Sequence, residues 1–187
     1  MRVQETFEKI KELLQSDKWQ VCADSTLTIE EKGRQATLKA VHVASVGADA
    51  FSIKYDECGF PGTAMFAPHG SLHRACDAIA FCLVEDVPYI LCCELKSSEP
   101  ARHEVAEQFR SAHCFLDYLD SLLRHYYQSG IKNWSRRYFV FHDQPRTPAS
   151  KRPLQDEFNN DKPERALFIP AKTGDRTYVR QLLGKPL

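Results

Sequence analysis

The sequence predicts a mixed α/β fold, a sheet flanked by helices, and three observations carry that expectation. Two apolar runs, 75–84 and 89–98, flank the acidic, proline-bearing stretch Glu85-Asp86-Val87-Pro88. Their β-branched, aromatic and small residues suit a buried β-hairpin. Residues 3–16 and 98–129 instead repeat apolar side chains every three or four positions, the period of amphipathic helices. Finally, 187 residues with 43% hydrophobic content are enough for one sizeable domain with a real core.

The first helix places Val3, Phe7, Ile10 and Leu14 on one face, with Glu and Lys between them. Thr26 to Glu31, then Ala36 to Val46 after the turn at Glu31-Lys32-Gly33-Arg34, then Ala50 to Tyr55 read as antiparallel strands of a meander feeding the hairpin. His42 falls on a partly exposed strand face. Residues 56–74, rich in Gly and Pro, form a connecting loop that delivers the chain to Asp77. His69, His73 and Arg74 at its end are candidates to contact a phosphate or to serve as auxiliary acid or base, or are plain loop residues.

After the hairpin, Ser97-Ser98-Glu99-Pro100 reads as a helix start with a serine cap and an early proline. Val105, Phe109, Ala112, Leu116, Leu119, Leu123 and Tyr126 continue as an apolar stripe ending near Gly130. Tyr138 to His142 is a buried strand, and 143–165 a polar, proline-bearing loop. Ala166 to Ile169 adds an edge strand and Tyr178 to Leu183 a short closing helix. The organisation expected is a single domain over 1–187: helix and meander over 3–56, core over about 75–142, and a basic extension over 143–187.

The hairpin's ends carry the charges that stand out. Pairing centred on the Asp86–Val87 bond sets Asp77 across from Lys96 and Ile79 across from Glu94, with all three charged groups on one face. An Asp, a Glu and a Lys then converge at one end of an otherwise apolar ribbon. A charged pair at the end of such a strand is costly unless it is paired or metal-bound. The bland reading is that Glu94 and Lys96 mark where the strand meets solvent.

The motif Asp77-x16-Glu94-Leu95-Lys96 resembles the PD-(D/E)XK nuclease superfamily, with Cys76 where that family often has proline. The resemblance implies a restriction-endonuclease-like αβββαβ core. It implies a magnesium ion, or manganese, held by Asp77, Glu94 and Leu95, the last through its main chain, and Lys96 orienting the attacking water and steadying phosphate charge. Magnesium favours hard oxygen donors and keeps several waters, which suits this residue set. The family's helix after the motif often aims a Gln or basic residue at the site, which points to Gln108, with Arg102 or Arg110 nearby. Its first helix often adds a carboxylate, which here means Glu8 or Glu12; for both, a solvated helix face is the competing reading.

The implied activity is metal-dependent phosphodiester hydrolysis, with DNA favoured over RNA as substrate. Control by a partner, by homodimerisation or by a larger complex is expected, and anti-phage defence is one setting. Two other classes compete: a non-catalytic subunit that keeps the fold to bind nucleic acid or assemble a complex, and a cysteine hydrolase using Cys92 or Cys93. Both cysteines lie mid-strand, where a thiolate would be desolvated. The seven cysteines form no C-x-x-C pair and read as core thiols. The apolar runs are far below bilayer length and the N-terminus carries no signal region, so a soluble, cytoplasmic protein is expected. Net charge is zero, but residues 130–187 hold 12 Lys/Arg against 6 Asp/Glu, and residues 1–129 hold 13 against 19. A basic C-terminal third facing phosphate is one reading, an ordinary mixed surface the other.

Overall fold

The computed structural model describes residues 3–55, 74–143 and 159–185. His69 and His73, named above as phosphate candidates, lie outside them. Two sheets and the helices on them make the mixed α/β architecture. The larger sheet has the order β1-β4-β5-β6-β7-β8, from Trp19–Val21, Phe51–Ile53, Ala78–Val84, Val87–Lys96, Ser135–Asp143 and Leu167–Ala171. Pairing is antiparallel from β1 to β6 and parallel from β6 to β8. The smaller sheet has the order β2-β3-β9, from Thr26–Glu30, Ala40–Ala44 and Asp175–Tyr178. Helix α1 spans Val3–Leu13, α2 spans Arg102–Tyr127 and the short α3 spans Val179–Leu182.

β5 and the middle of β6 are buried on both faces, which is why they show no polar alternation. One face of the large sheet presents Ile79, Phe81, Ile90, Cys92, Tyr138 and Val140 to α1 and α2. Aromatic rings dominate that core: Phe51 stacks on Phe81 at 4.9 Å, and Phe7 meets Phe51 edge-on at 5.5 Å. The opposite face presents Ala80, Cys82, Leu91, Cys93, Phe139 and Phe141 to the small sheet and α3.

The expected meander is split between the two sheets. Residues 26–44 form the small sheet, and only 51–53 join the large one. The crossing is made at Ser45 and Gly47, both at positive φ (63° and 101°). A Cβ on Gly47 would lie 2.9 Å from the Leu83 carbonyl oxygen, so both the backbone angle and the close approach require glycine there. The strands β1 and β9 were not expected. β1 has three residues, and β9 pairs in parallel with β3 from 134 residues away, beyond the reach of local patterning. The two closing elements, β8 and α3, fall where the sequence placed them.

The hairpin register differs from the expected one. Val84 pairs with Val87, so the loop is the two residues Glu85 and Asp86, both at positive φ (53° and 63°). This is the type I′ geometry whose twist matches that of paired strands. Val87 and Pro88 therefore belong to β6, with Pro88 opposite Leu83. The missing proline N–H costs little, because β7 begins its pairing only at Tyr89. Ile79 lies opposite Cys92, not Glu94, and the ladder ends at Ala78 opposite Cys93, with Asp77 in a bend beyond it that hydrogen-bonds Glu94 instead of pairing with Lys96. The difference preserves the facing of every paired side chain, so Glu94 and Lys96 still share a side of the ribbon, while Asp77 lies in the bend beyond the last pair.

Candidate functional site

Asp77 sits in a bend just before β5, and Glu94 and Lys96 are the final even-numbered positions of β6. Glu94 and Lys96 follow Ile90 and Cys92 on the face covered by α2, whereas Asp77 lies at the strand end beside Thr28, Ile29, Glu30 and Lys54. A reciprocal pair of bonds ties the two acidic residues together. The Asp77 N–H donates to Glu94 Oε2 at 3.2 Å, and the Leu95 N–H donates to Asp77 Oδ2 at 2.5 Å. The other Glu94 oxygen, Oε1, accepts from Lys96 Nζ at 2.5 Å and from Gln108 Nε2 at 2.8 Å. Gln108 also donates to the Ala75 carbonyl at 3.3 Å, so it clips α2 to the chain entering β5.

The four residues named from the sequence, Asp77, Glu94, Lys96 and Gln108, are thus brought into one hydrogen-bonded cluster. Glu94 is 2% exposed as a side chain and Lys96 32%. Burial pushes the Glu94 carboxyl above the usual carboxylate range; Lys96, Gln108 and the Asp77 N–H oppose that rise without cancelling it. The apolar sheet supplies the desolvation and the cluster supplies the polar partners that a buried carboxylate requires.

The remaining candidates have other partners. Glu12 binds Lys9 and Glu8 binds Lys11, each within α1 and each at 2.8 Å, so both acids take part in surface ion pairs one helical turn apart. Arg74 pairs with Glu107 at 3.2 Å, and Arg110 with Glu164 at 3.0 Å. His42 meets Thr28 Oγ1 at 3.1 Å in the small sheet. Cys92 and Cys93 are wholly buried, and burial holds the Cys93 thiol well above its ordinary value, which disfavours a thiolate. The serine cap also differs: α2 is preceded by Ala101 with no side-chain cap bond, and Ser97 Oγ instead accepts the Thr37 N–H at 3.0 Å.

Sequence reasoning gave no role to His142. It pairs in parallel register with Lys96 and therefore faces the same way, is 2% exposed, and keeps Nδ1 without a hydrogen-bond partner. Burial holds its imidazole below the ordinary value, which favours the neutral ring. The available signal was a lone polar residue in an apolar strand, too common to single out.

Chemically, the cluster offers two carboxylates and, one bond away, the Leu95 carbonyl, with an ammonium beside them. Among the described residues no group of three or more His, Cys, Asp or Glu could hold a metal ion. An all-oxygen set with few protein ligands nevertheless fits a hard divalent cation that retains water, and does not fit a softer metal that wants thiolate or imidazole. No family model matches the chain, and neither a curated protein nor a solved structure is similar enough to count as a match. No helix among the described residues is long and apolar enough to cross a membrane.

Proposed function

We propose that this protein is a metal-dependent nuclease of the PD-(D/E)XK type, hydrolysing phosphodiester bonds on a restriction-endonuclease-like core. The observation that carries the reading is the meeting of Asp77, Glu94, Lys96 and Gln108 at one end of the central hairpin, held by bonds of 2.5–3.2 Å. Magnesium, or manganese, would be held by Asp77, Glu94 and the Leu95 carbonyl. Once bound, it would supply Lewis acidity and neutralise charge on the phosphate.

The chain's own residues divide the remaining work. Lys96, partly exposed and two positions along the strand from Glu94, reaches the phosphate oxygens and steadies the charge gathering on them as water adds to phosphorus. The P–O bond to the leaving sugar then breaks; the attacking water gives its proton to solvent and the leaving oxygen takes one from it. Gln108 is a positioning residue: its bond to Oε1, the oxygen that also takes the Lys96 ammonium, orients the Glu94 carboxylate. The buried sheet keeps bulk water from Glu94.

DNA is favoured over RNA, and a homodimer or larger assembly, as in anti-phage defence, is the expected means of control. The test is cleavage of labelled DNA and RNA with magnesium or manganese, with EDTA as the control. Loss of cleavage in Asp77→Ala and Glu94→Ala, both still folded, supports the reading. Full activity in either overturns it. A folded wild type with no cleavage and no calorimetric magnesium binding would favour a non-catalytic assembly subunit.

A further inference from the structure

Resting on that nuclease reading, we propose that the groove between the start of α2 and β8 binds a single-stranded segment of the nucleic acid and leads it to the Glu94–Lys96 site. Arg102, Asn159, Glu164, Arg165, Leu167 and Phe168 line the groove. The Arg102 guanidinium lies 4.6 Å from the centroid of the Phe168 ring. Stacking there orders a flat cation on an otherwise exposed residue, and no carboxylate among the described residues pairs with it. Glu164 already has a cationic partner in Arg110 at 3.0 Å, so it adds little negative charge to the groove. Arg165 meets Asp161 only at a long 3.9 Å and otherwise donates to the neutral Asn159 amide oxygen at 2.8 Å.

The groove lies on the α2 side of the sheet, two strands from the site. The Phe168 ring lies 6.3 Å from the His142 ring, and His142 is in register with Lys96. Phe168, His142 and Lys96 therefore occupy three neighbouring strands, β8, β7 and β6, spaced roughly 5 Å apart. Along α2, Arg102 is six residues from Gln108, or about 9 Å of helix axis. A guanidinium stacked on a ring gives an unpaired base a flat surface, and its edge N–H groups give the adjoining phosphate a fork. Bases inside a duplex are already stacked and cannot use such a surface. The combination of a cationic groove and a stacking platform is that of single-strand binders.

The test is fluorescence anisotropy without divalent metal, using labelled thymidine and uridine oligomers of about 15 nucleotides and a duplex of the same length. The expected result is tighter binding of the single strands, the two oligomers reporting whether the sugar matters. The Arg102→Ala, Arg165→Ala double variant should bind at least about tenfold more weakly and flatten the slope of log K against log salt by about 1.4, the share of two phosphate contacts on a single strand. Arg102→Lys, which keeps the charge and loses the plane, should keep the slope and lose affinity. A duplex bound as tightly as the single strands, or a double variant with the wild-type slope, overturns the proposal. Cleavage by the same wild-type sample is scored separately: cutting with unchanged binding in the arginine variants removes the groove and leaves the nuclease, while full cleavage by Asp77→Ala removes the nuclease.

Discussion

Replacing Lys96 with Met keeps an unbranched stem of similar length and removes the ammonium that contacts Glu94 at 2.5 Å. Glu94 is left 2% exposed with two neutral donors, Gln108 and the Asp77 N–H. Removing one partner of a buried ion pair costs about 3–5 kcal/mol, and because Lys96 is itself a third exposed, the lower end of about 3 kcal/mol applies here. The loss must depend on pH. The folded-state pKa of Glu94 already lies above its unfolded value through desolvation, and without Lys96 it rises further. A raised carboxyl pKa stabilises the fold fully below the unfolded pKa, near 4.3, and that contribution fades as pH rises through the folded value. The variant's deficit should therefore be about 3 kcal/mol at pH 8 and under about 1 kcal/mol near pH 4, measured by urea unfolding. A deficit of equal size at both pH values would assign it to stem packing and refute the charge argument. No deficit at pH 8 would mean that Glu94 is not a buried anion at all.

Glu94→Gln should cut cleavage about 10²–10³-fold while melting at or above the wild-type temperature at pH 8 without metal, because it removes a desolvated charge; differential scanning calorimetry beside the nuclease assay checks both. Gln108→Leu should weaken magnesium binding and cleavage about 10–100-fold by freeing the carboxylate it orients, read by titration calorimetry. In a Cys58→Ser background, iodoacetamide should label the exposed Cys114 in the folded protein and reach Cys22, Cys76, Cys82, Cys92 and Cys93 only after unfolding, with cleavage unchanged by the single label; mass spectrometry reads the count. Asp86→Gly should stabilise the fold by about 0.5–1 kcal/mol in urea, since Asp86 sits at φ 63°.

The cluster was legible because its residues are misfits. Asp77, Glu94 and Lys96 interrupt apolar runs, and two of them share a strand, so their common face follows from a period of two whatever the turn. The turn itself was misplaced by one residue, because Pro88 looks like a turn former and non-glycine residues at positive φ cannot be read from Glu85 and Asp86. Helices α1 and α2 were visible in their stripes, although the α2 cap was not: Ser97 is drawn off to Thr37, a partner 60 residues away. The second sheet was hidden for the same reason. Its β3–β9 pairing joins residues 41–44 to 175–178, and no local window contains both. His142 and the Arg102–Phe168 stack needed the same long-range registers before they could be connected to Lys96.

A tight two-residue reversal at Glu85 and Asp86 governs chemistry roughly 26 Å away at Asp77, through seven rungs of ribbon. Exposed loop tips ordinarily accept extra residues without harm. Here a single added residue at the tip would put the two strands out of phase, exchange the oily linings of both halves of the protein and swing one acidic group away from the other, unless a bulge absorbed it. The tip is thus a tuning peg for the distant cluster, and its length is under as tight a constraint as the acids themselves.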